Sequence, residues 1–256
     1  MQKQITPVLL TYNEAPNIER SLSRLDWADK IIVVDSFSDD ETLAIIQQFP
    51  NTQIFQRKFD THTRQWNFAL NETGIVTEWV LALDADYILT KTLVAELKIL
   101  EPPKEITGFR AKFIYYVAGQ PLVSSVYPPV TVLYRRAYAH YQQDGHTQKV
   151  VINGTVQHLR APILHDDRKS LCHWVSSQNR YIRLEAQKLA QSDFKNLNWP
   201  DRIRAMYFIA PFAVPFYCLF IKGIIFNGLP GLHYALQRMF AELLLSLYLC
   251  DMKLKM

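Results

Sequence analysis

No Gly-x-Gly-x-x-Gly follows the first apolar run of this chain, and no Gly-x-x-x-x-Gly-Lys-Ser occurs anywhere in its 256 residues. Those motifs hold phosphates with backbone N–H groups that glycine brings close, so the dinucleotide-binding and P-loop readings lose their main support. A bound phosphate would have to be met by side chains and a metal. Cysteine is scarce: Cys172, Cys218 and Cys250 stand far apart and are odd in number. They lack metal-ligand spacing, and reduced thiols in a cytosolic compartment are the expectation. Met1-Gln2-Lys3-Gln4 leads into no h-region, so no cleaved signal peptide is expected. Internal repeats and low-complexity linkers are also missing.

What is present suits one sizeable core with an appended segment, since 49% of the residues are hydrophobic. Charge is uneven. Residues 1–100 hold nine basic and fourteen acidic side chains, and residues 101–256 hold nineteen and ten. An acidic first half followed by a basic second half fits a donor site and then a surface facing anionic lipid or phosphate. Nucleic acid is excluded as the partner, because the basic residues are scattered among apolar runs and no helix-turn-helix or zinc-finger spacing appears.

Three apolar runs in the first ninety residues each end in polar side chains. Residues 5–12 end in Thr11-Tyr12-Asn13-Glu14 and are followed by a helix with Pro16 near its first turn. Residues 30–34 end at Asp35, and the Ser38–Glu41 spacing predicts a capping box opening a helix over 39–48. Trp79-Val80-Leu81-Ala82-Leu83 reads as a strand buried on both faces and ends in Asp84-Ala85-Asp86. The βαβ alternation predicts an open, mostly parallel sheet with its ligand at the C-terminal strand ends. Two carboxylates one residue apart repel each other and lose water there, a cost offset by a hard cation, Mg²⁺ or Mn²⁺, which would hold a diphosphate. The bland alternative makes Asp84 a helix cap and Asp86 a solvated turn residue.

Together, Val8-Leu9-Leu10-Thr11-Tyr12-Asn13-Glu14, Val33-Val34-Asp35-Ser36-Phe37-Ser38-Asp39-Asp40, Arg64-Gln65-Trp66-Asn67-Phe68-Ala69 and Leu83-Asp84-Ala85-Asp86 resemble the ordered motifs of family 2 glycosyltransferases with the GT-A fold. Within that family the chain is most similar to the bacterial lipopolysaccharide-core β-glucosyltransferase type, with a weaker likeness through His165 and Gly228-Leu229-Pro230-Gly231-Leu232. The resemblance implies that Thr11, Asn13 and Glu14 lie beside the nucleotide and that Asp35 accepts hydrogen bonds from uracil or ribose. It further implies that Arg64 and Gln65 line the base pocket, that Asp84 contacts ribose or sugar, and that Asp86 ligates the metal.

Past a compositional break at Pro102-Pro103, strand-like runs cover 108–117, 130–135, 149–152 and 156–159. In the resembled fold this is the acceptor side. An inverting transfer needs a general base, and Asp144-Gly145-His146 is the most polar turn of the region. Asp144 follows Asp86 by 58 residues, a spacing similar to that of the base in related polyprenyl-phosphate glycosyltransferases. The resembled enzymes usually carry His-Glu here and this chain has His146-Thr147, so either Asp144 or His146 is the expected base; the alternative is a plain Asp-Gly hairpin. Next, Pro162-Ile163-Leu164 ends in His165-Asp166-Asp167-Arg168-Lys169. A neutral His165 can join the metal, and Arg168 or Lys169 can offset charge on the departing diphosphate. A helix is expected over 170–189.

Residues 206–221, MYFIAPFAVPFYCLFI, form an uncharged apolar run of 16 residues with basic side chains on both flanks. A spanning helix needs about 20 apolar residues, and Pro211 and Pro215 interrupt this one. With 232–249 it reads as a helical hairpin lying on the inner leaflet, its interface aromatics Trp199, Tyr207, Phe208, Phe212, Phe216 and Tyr217. Two short spans, a buried helical layer or a homodimer interface are the alternatives for this surface over 199–250.

The sequence therefore leads to an expected two-part chain: a GT-A domain over 1–194, with a nucleotide-sugar half 1–101 and an acceptor half 102–194, and a C-terminal helical segment over 195–256. The expected activity is a metal-dependent, inverting transfer of a hexose, glucose first, from a UDP-sugar to a glycolipid or lipid-linked acceptor at the cytoplasmic side of the inner membrane. The alternatives are a polyprenyl-phosphate glycosyltransferase, a nucleotide-sugar-binding scaffold without turnover, and a nucleotidyltransferase, which would lack its Gly-rich phosphate loop.

Overall fold

The structure, a computed structural model, describes residues 4–144 and 147–255. In chain order its elements are β1 (Ile5–Thr11), α1 (Ile18–Leu22), β2 (Ile31–Asp35), α2 (Thr42–Ile46), β3 (Thr52–Gln56), α3 (His62–Glu72), β4 (Trp79–Asp84), β5 (Tyr87–Leu89) and α4 (Lys91–Ile99). There follow β6 (Ile106–Ala111), β7 (Phe113–Val117), β8 (Gln120–Pro121), β9 (Val130–Arg135), β10 (Ala139–Asp144), β11 (Thr147–Ile152), β12 (Thr155–His158) and β13 (Ile163–His165). Four helices complete the chain: α5 (Leu171–Gln191), α6 (Trp199–Ala205), α7 (Ala210–Phe216) and α8 (Leu229–Leu254). Two compact units result. One runs up to Tyr116 and includes Tyr127–Gln143 and Thr147–Arg168; the other holds Val117–Val126 and the chain from Lys169 on. The helix after His165 thus falls in the second unit.

The first unit is built on a seven-stranded sheet in the order β12-β6-β9-β4-β1-β2-β3. Its half from β4 to β3 is parallel, while β9 runs antiparallel to both β4 and β6. Strands β2 and β4 are buried along nearly their whole length, because successive side chains point to opposite faces and both faces are covered. Leu9, Ile31, Val33, Leu81 and Leu83 pack on one face with Ile18 and Leu22 of α1 and Leu93 and Leu97 of α4. Val8, Ile32, Val34, Val80 and Ala82 pack on the other with Trp66, Ala69 and Leu70 of α3. Strand order reverses at β1, whose neighbours are β2 and β4, so the C-terminal ends of these three strands frame a topological switch point.

Two local expectations change. Ser38 does not cap α2: the helix begins at Thr42 with no side-chain cap from Glu41, because Ser38 is held by Asp35 instead. The run 108–117 is two strands, with β6 in the large sheet and β7 beside β13 in a smaller one that also contains β5. Ser170 caps α5 through the backbone N–H of His173, where the sequence placed a helix start.

In the second unit, Ala186 and Leu189 of α5 pack with Leu245 and Leu249 of α8 and with Leu197. Helix α7 contains Pro215 and widens into a π turn over Tyr217–Ile221, as expected where proline removes a backbone donor and crowds the preceding turn. Gly231 lets the start of α8 approach the chain before it: a Cβ there would overlap the Ile224 carbonyl. Among the described residues, no helix is long and apolar enough to cross a membrane.

Candidate active site

Register alone gathers the site. Thr11 pairs with Asp35 across β1 and β2, and Leu10 pairs with Asp84 across β1 and β4, so Thr11, Asp35 and Asp84 stand at one sheet edge. Asp35 is fully buried. It accepts hydrogen bonds from Thr11 Oγ1 at 2.9 Å, from the Ser38 N–H at 2.9 Å and from Ser38 Oγ at 2.6 Å. An ionised carboxylate has about four acceptor positions, and Asp35 uses three of them to order its own loop. Asn13 lies in the left-handed region at φ 54°, which Asn tolerates better than most residues. From there its N–H donates to Ser38 Oγ at 2.9 Å, and its side chain exchanges two hydrogen bonds with Asp39. The Glu14 N–H donates to Thr42 Oγ1 at 2.7 Å.

The second cluster forms where the chain leaves β4 for β5. Ser21 of α1 donates to the Ala85 carbonyl at 2.5 Å, fixing the turn between Asp84 and Asp86. Strand β13 runs between β5 and β7, and His165 pairs with Tyr87 on one side and Tyr115 on the other. Its Nε2 stands 3.0 Å from Asp86 Oδ2. The imidazole is surrounded by rings: Tyr115 and Tyr127 at 4.7 Å, Tyr87 at 5.2 Å and Phe113 at 6.3 Å between centroids. Burial alone would lower the pKa of His165; Asp86 foremost, then Asp84 and Asp167, outweigh it and hold the imidazole above its ordinary value. The Tyr87 and Tyr127 hydroxyls are bonded to each other. Burial and the Asp84 charge raise both above their ordinary value, keeping them neutral.

Among the described residues, no group of three or more His, Cys, Asp or Glu side chains is arranged to hold a metal by itself. Asp86 and His165 nevertheless fit as part of a coordination shell. Adjacent ligands of an octahedral ion at about 2.1 Å are about 3.0 Å apart, matching the Asp86–His165 separation. Mg²⁺ and Mn²⁺ suit few protein ligands, the rest coming from substrate phosphates and water.

The other expected residues are placed as follows. Arg64 is largely exposed on α3 and pairs with Asp60 at 3.3 Å. Gln65 is buried: its Nε2 donates to Ser36 Oγ and the Arg57 carbonyl, and its Oε1 accepts from Arg57. It braces the loop after β2 instead of offering an open face to a base. Arg168 donates through Nε and one terminal nitrogen to Asp166, each at 2.8 Å, so this guanidinium is engaged with a carboxylate. Lys169 opens the second unit. The expected base falls outside the described residues: His146 lies there entirely, and so does the side chain of Asp144, whose backbone ends β10.

Asn17 was not singled out from sequence, yet it is buried at the centre of a polar hub. Its Nδ2 donates to Glu14 Oε2 and Asp167 Oδ1, both at 2.9 Å, and its Oδ1 accepts from Arg20 at 2.7 Å and the Arg168 N–H at 2.9 Å. Arg20 also pairs with Asp166 at 2.7 Å. Thus the Glu14 and His165 segments, far apart in sequence, are tied by one amide. Tyr115 and Tyr127 were equally unmarked; only Tyr87, adjacent to Asp86, carried a positional signal.

Residues 7–115 match the family Glycosyl transferase family 2. An uncharacterized glycosyltransferase of Rickettsia bellii is 28% identical over 147 residues, covering 55% of this chain and 49% of that protein, so this chain matches about half the length of that relative. The lipopolysaccharide core biosynthesis glycosyltransferase LpsC of Rhizobium meliloti is 25% identical over 203 residues, 73% of this chain and 72% of that one. Among solved structures, the mannosyltransferase PcManGT of Pyrobaculum calidifontis, in complex with GDP-Man and Mn²⁺, gives a TM-score of 0.52 at 15% identity, covering 98% of this chain and 86% of that one. S. aureus TarS 1–349, in complex with UDP-GlcNAc, gives 0.51 at 15% identity, covering 98% and 92%. Both likenesses are of fold.

Proposed function

Because the chain is a family 2 glycosyltransferase by its domain over residues 7–115, its relatives and its fold, we propose that it moves a hexose, glucose first, from a UDP-sugar to a membrane glycolipid or lipid-linked saccharide with inversion. The observation that carries this reading is the pairing of two clusters at one switch point. Asp35, Thr11 and Ser38 order the nucleotide side, and Asp86 and His165 stand at the spacing of adjacent metal ligands. A divalent cation held by that pair would neutralise the diphosphate as it departs. Asp84, at the end of β4, faces the ribose or sugar. The neutral Tyr87–Tyr127 pair and the rings around His165 keep water from the imidazole and fix its plane. The acceptor hydroxyl attacks C1 opposite the leaving diphosphate, and its proton passes to Asp144 or His146. Similarity to LpsC, named for lipopolysaccharide core biosynthesis, favours a saccharide on lipid as acceptor.

The test is UDP release by the full chain from UDP-glucose, UDP-galactose and UDP-GlcNAc, each with Mn²⁺, Mg²⁺ or chelator. Release from one donor, faster with metal, is expected. UDP binding without release from any donor, even with lipid acceptors added, would make the protein a nucleotide-sugar scaffold. Transfer to a polyprenyl phosphate but not to a lipid-borne saccharide would replace the acceptor class.

A further inference from the structure

Between Asp201 and Glu242 the chain contains no carboxylate, yet it carries Arg202, Arg204, Lys222 and Arg238. Arg204 is drawn inward to Glu242, 2.8 Å away; the other three are half-buried near the surface. In the same stretch Phe208, Phe212, Phe216 and Phe220 recur every fourth residue and are 72, 64, 58 and 54% exposed. Phe212 and Phe216 lie one turn apart on α7, Phe208 precedes that helix and Phe220 lies in the π turn after it, so the four make an exposed aromatic stripe along this stretch of chain. It continues past the π turn into Phe226 and Leu229, 88 and 77% exposed, and then Leu232 and Leu236 on α8. Residues off this stripe, Ala210, Pro211, Cys218, Ile224, Tyr234 and Ala235, are buried, so the stripe is the uncovered side of a packed element.

Monomeric soluble proteins rarely expose contiguous apolar patches beyond a few hundred Å², and here seven large apolar side chains of one ridge are more than half exposed. Cations edge the patch: Lys222 Nζ lies 5.7 Å from the Tyr217 ring centre and the Arg238 guanidinium 6.0 Å from that of Tyr234. Aromatic rings with basic neighbours suit the boundary between lipid headgroups and acyl chains. A second copy docked through the same patch would set these cations against their own symmetry mates, with no carboxylate in the stretch to offset them.

We propose that the ridge from Phe208 to Leu236 is a docking surface for an anionic lipid bilayer, lying in the headgroup plane. The proposal is independent of the donor chemistry. Its test is flotation of the full chain with vesicles of phosphatidylcholine alone or mixed with phosphatidylglycerol, with circular dichroism as the fold control. The parent protein should float with the anionic vesicles and far less with the neutral ones. Phe212→Ser, Phe216→Ser and Phe220→Ser combined should lower partition by about tenfold or more, with UDP affinity unchanged. Lys222→Glu with Arg238→Glu should abolish the preference for anionic lipid, and this second variant carries the test if the triple one misfolds. Parent protein that ignores both vesicles, floats equally with both, or forms a dimer that the triple variant dissociates would overturn the proposal. A protein that floats as expected but transfers no sugar would leave the surface standing and refute the transferase reading.

Discussion

His165 Nε2 stands 3.0 Å from Asp86 Oδ2, while its Nδ1 is buried with no hydrogen-bond partner among the described residues. A buried imidazole is usually fixed through both nitrogens. Here orientation comes from one carboxylate and from aromatic walls, with Tyr87 and Tyr115 placed opposite residue 165 by strand register. On the proposed metal reading, the nitrogen facing Asp86 is the one that would meet the cation.

From this geometry, Asp86→Asn and His165→Gln should each weaken the Mn²⁺-dependent part of UDP binding by about 10-fold or more. Loss of a supporting partner alone costs metal sites roughly 10- to 100-fold, and these residues are the ligands we propose. Binding of UDP in chelator should stay as it is in the parent. Calorimetry with Mn²⁺ and with chelator separates the two components. Equal UDP affinity in both buffers for the parent protein would sink the metal assignment.

Asp35→Asn tests the nucleotide side. The amide keeps one oxygen for the Ser38 N–H but turns a donor toward the Thr11 and Ser38 hydroxyls, which now donate to the carboxylate and would have to turn away or lose their acceptor. Leaving a buried donor unpaired costs about 1 to 3 kcal/mol, so the melting temperature should fall. UDP affinity should fall with it, since Ser38 also receives the Asn13 N–H. A lower melting temperature with unaltered UDP affinity would reduce Asp35 to a brace for its loop.

Legibility in the sequence followed the length scale of the forces. The parallel strands were readable because 5–12, 30–34 and 79–83 are apolar runs closed by polar residues, and register then carried Thr11, Asp35 and Asp84 to one edge. The Ser38 expectation failed because Ser38 has a competing acceptor just as near on its other side, the buried carboxylate of Asp35. Gln65 and Arg168 read as ligand-facing because spacing alone does not show that Arg57 engages the one and Asp166, two residues away, the other. Asn17 and Tyr127 were invisible for a related reason. Asn17 meets Asp167 across 150 positions and Tyr127 meets Tyr87 across 40, and no periodicity encodes such meetings. The short α7, by contrast, follows from Pro215, which the sequence displays openly.

Asp144 and His146 are the two candidate bases, and chemistry says what replacing each would do. A sugar hydroxyl is a poor nucleophile near neutral pH, and the described donor-side groups are engaged: Asp35 with Thr11 and Ser38, Asp86 with His165. The proton must therefore leave through another group. We propose Asp144, the last residue of β10; earlier in that strand, Asn67 of α3 bonds the Tyr141 main chain through both its N–H and its carbonyl at 3.0 Å. Asp144→Asn should lower kcat by about 10² to 10⁴, the usual contribution of a positioned acid or base, with UDP affinity little changed. His146→Ala should leave kcat within a few-fold of the parent. Steady-state rates for the two variants against the same acceptor decide the matter, because only one group need take the proton: near-normal kcat for Asp144→Asn alongside a large loss for His146→Ala would transfer the role to the histidine.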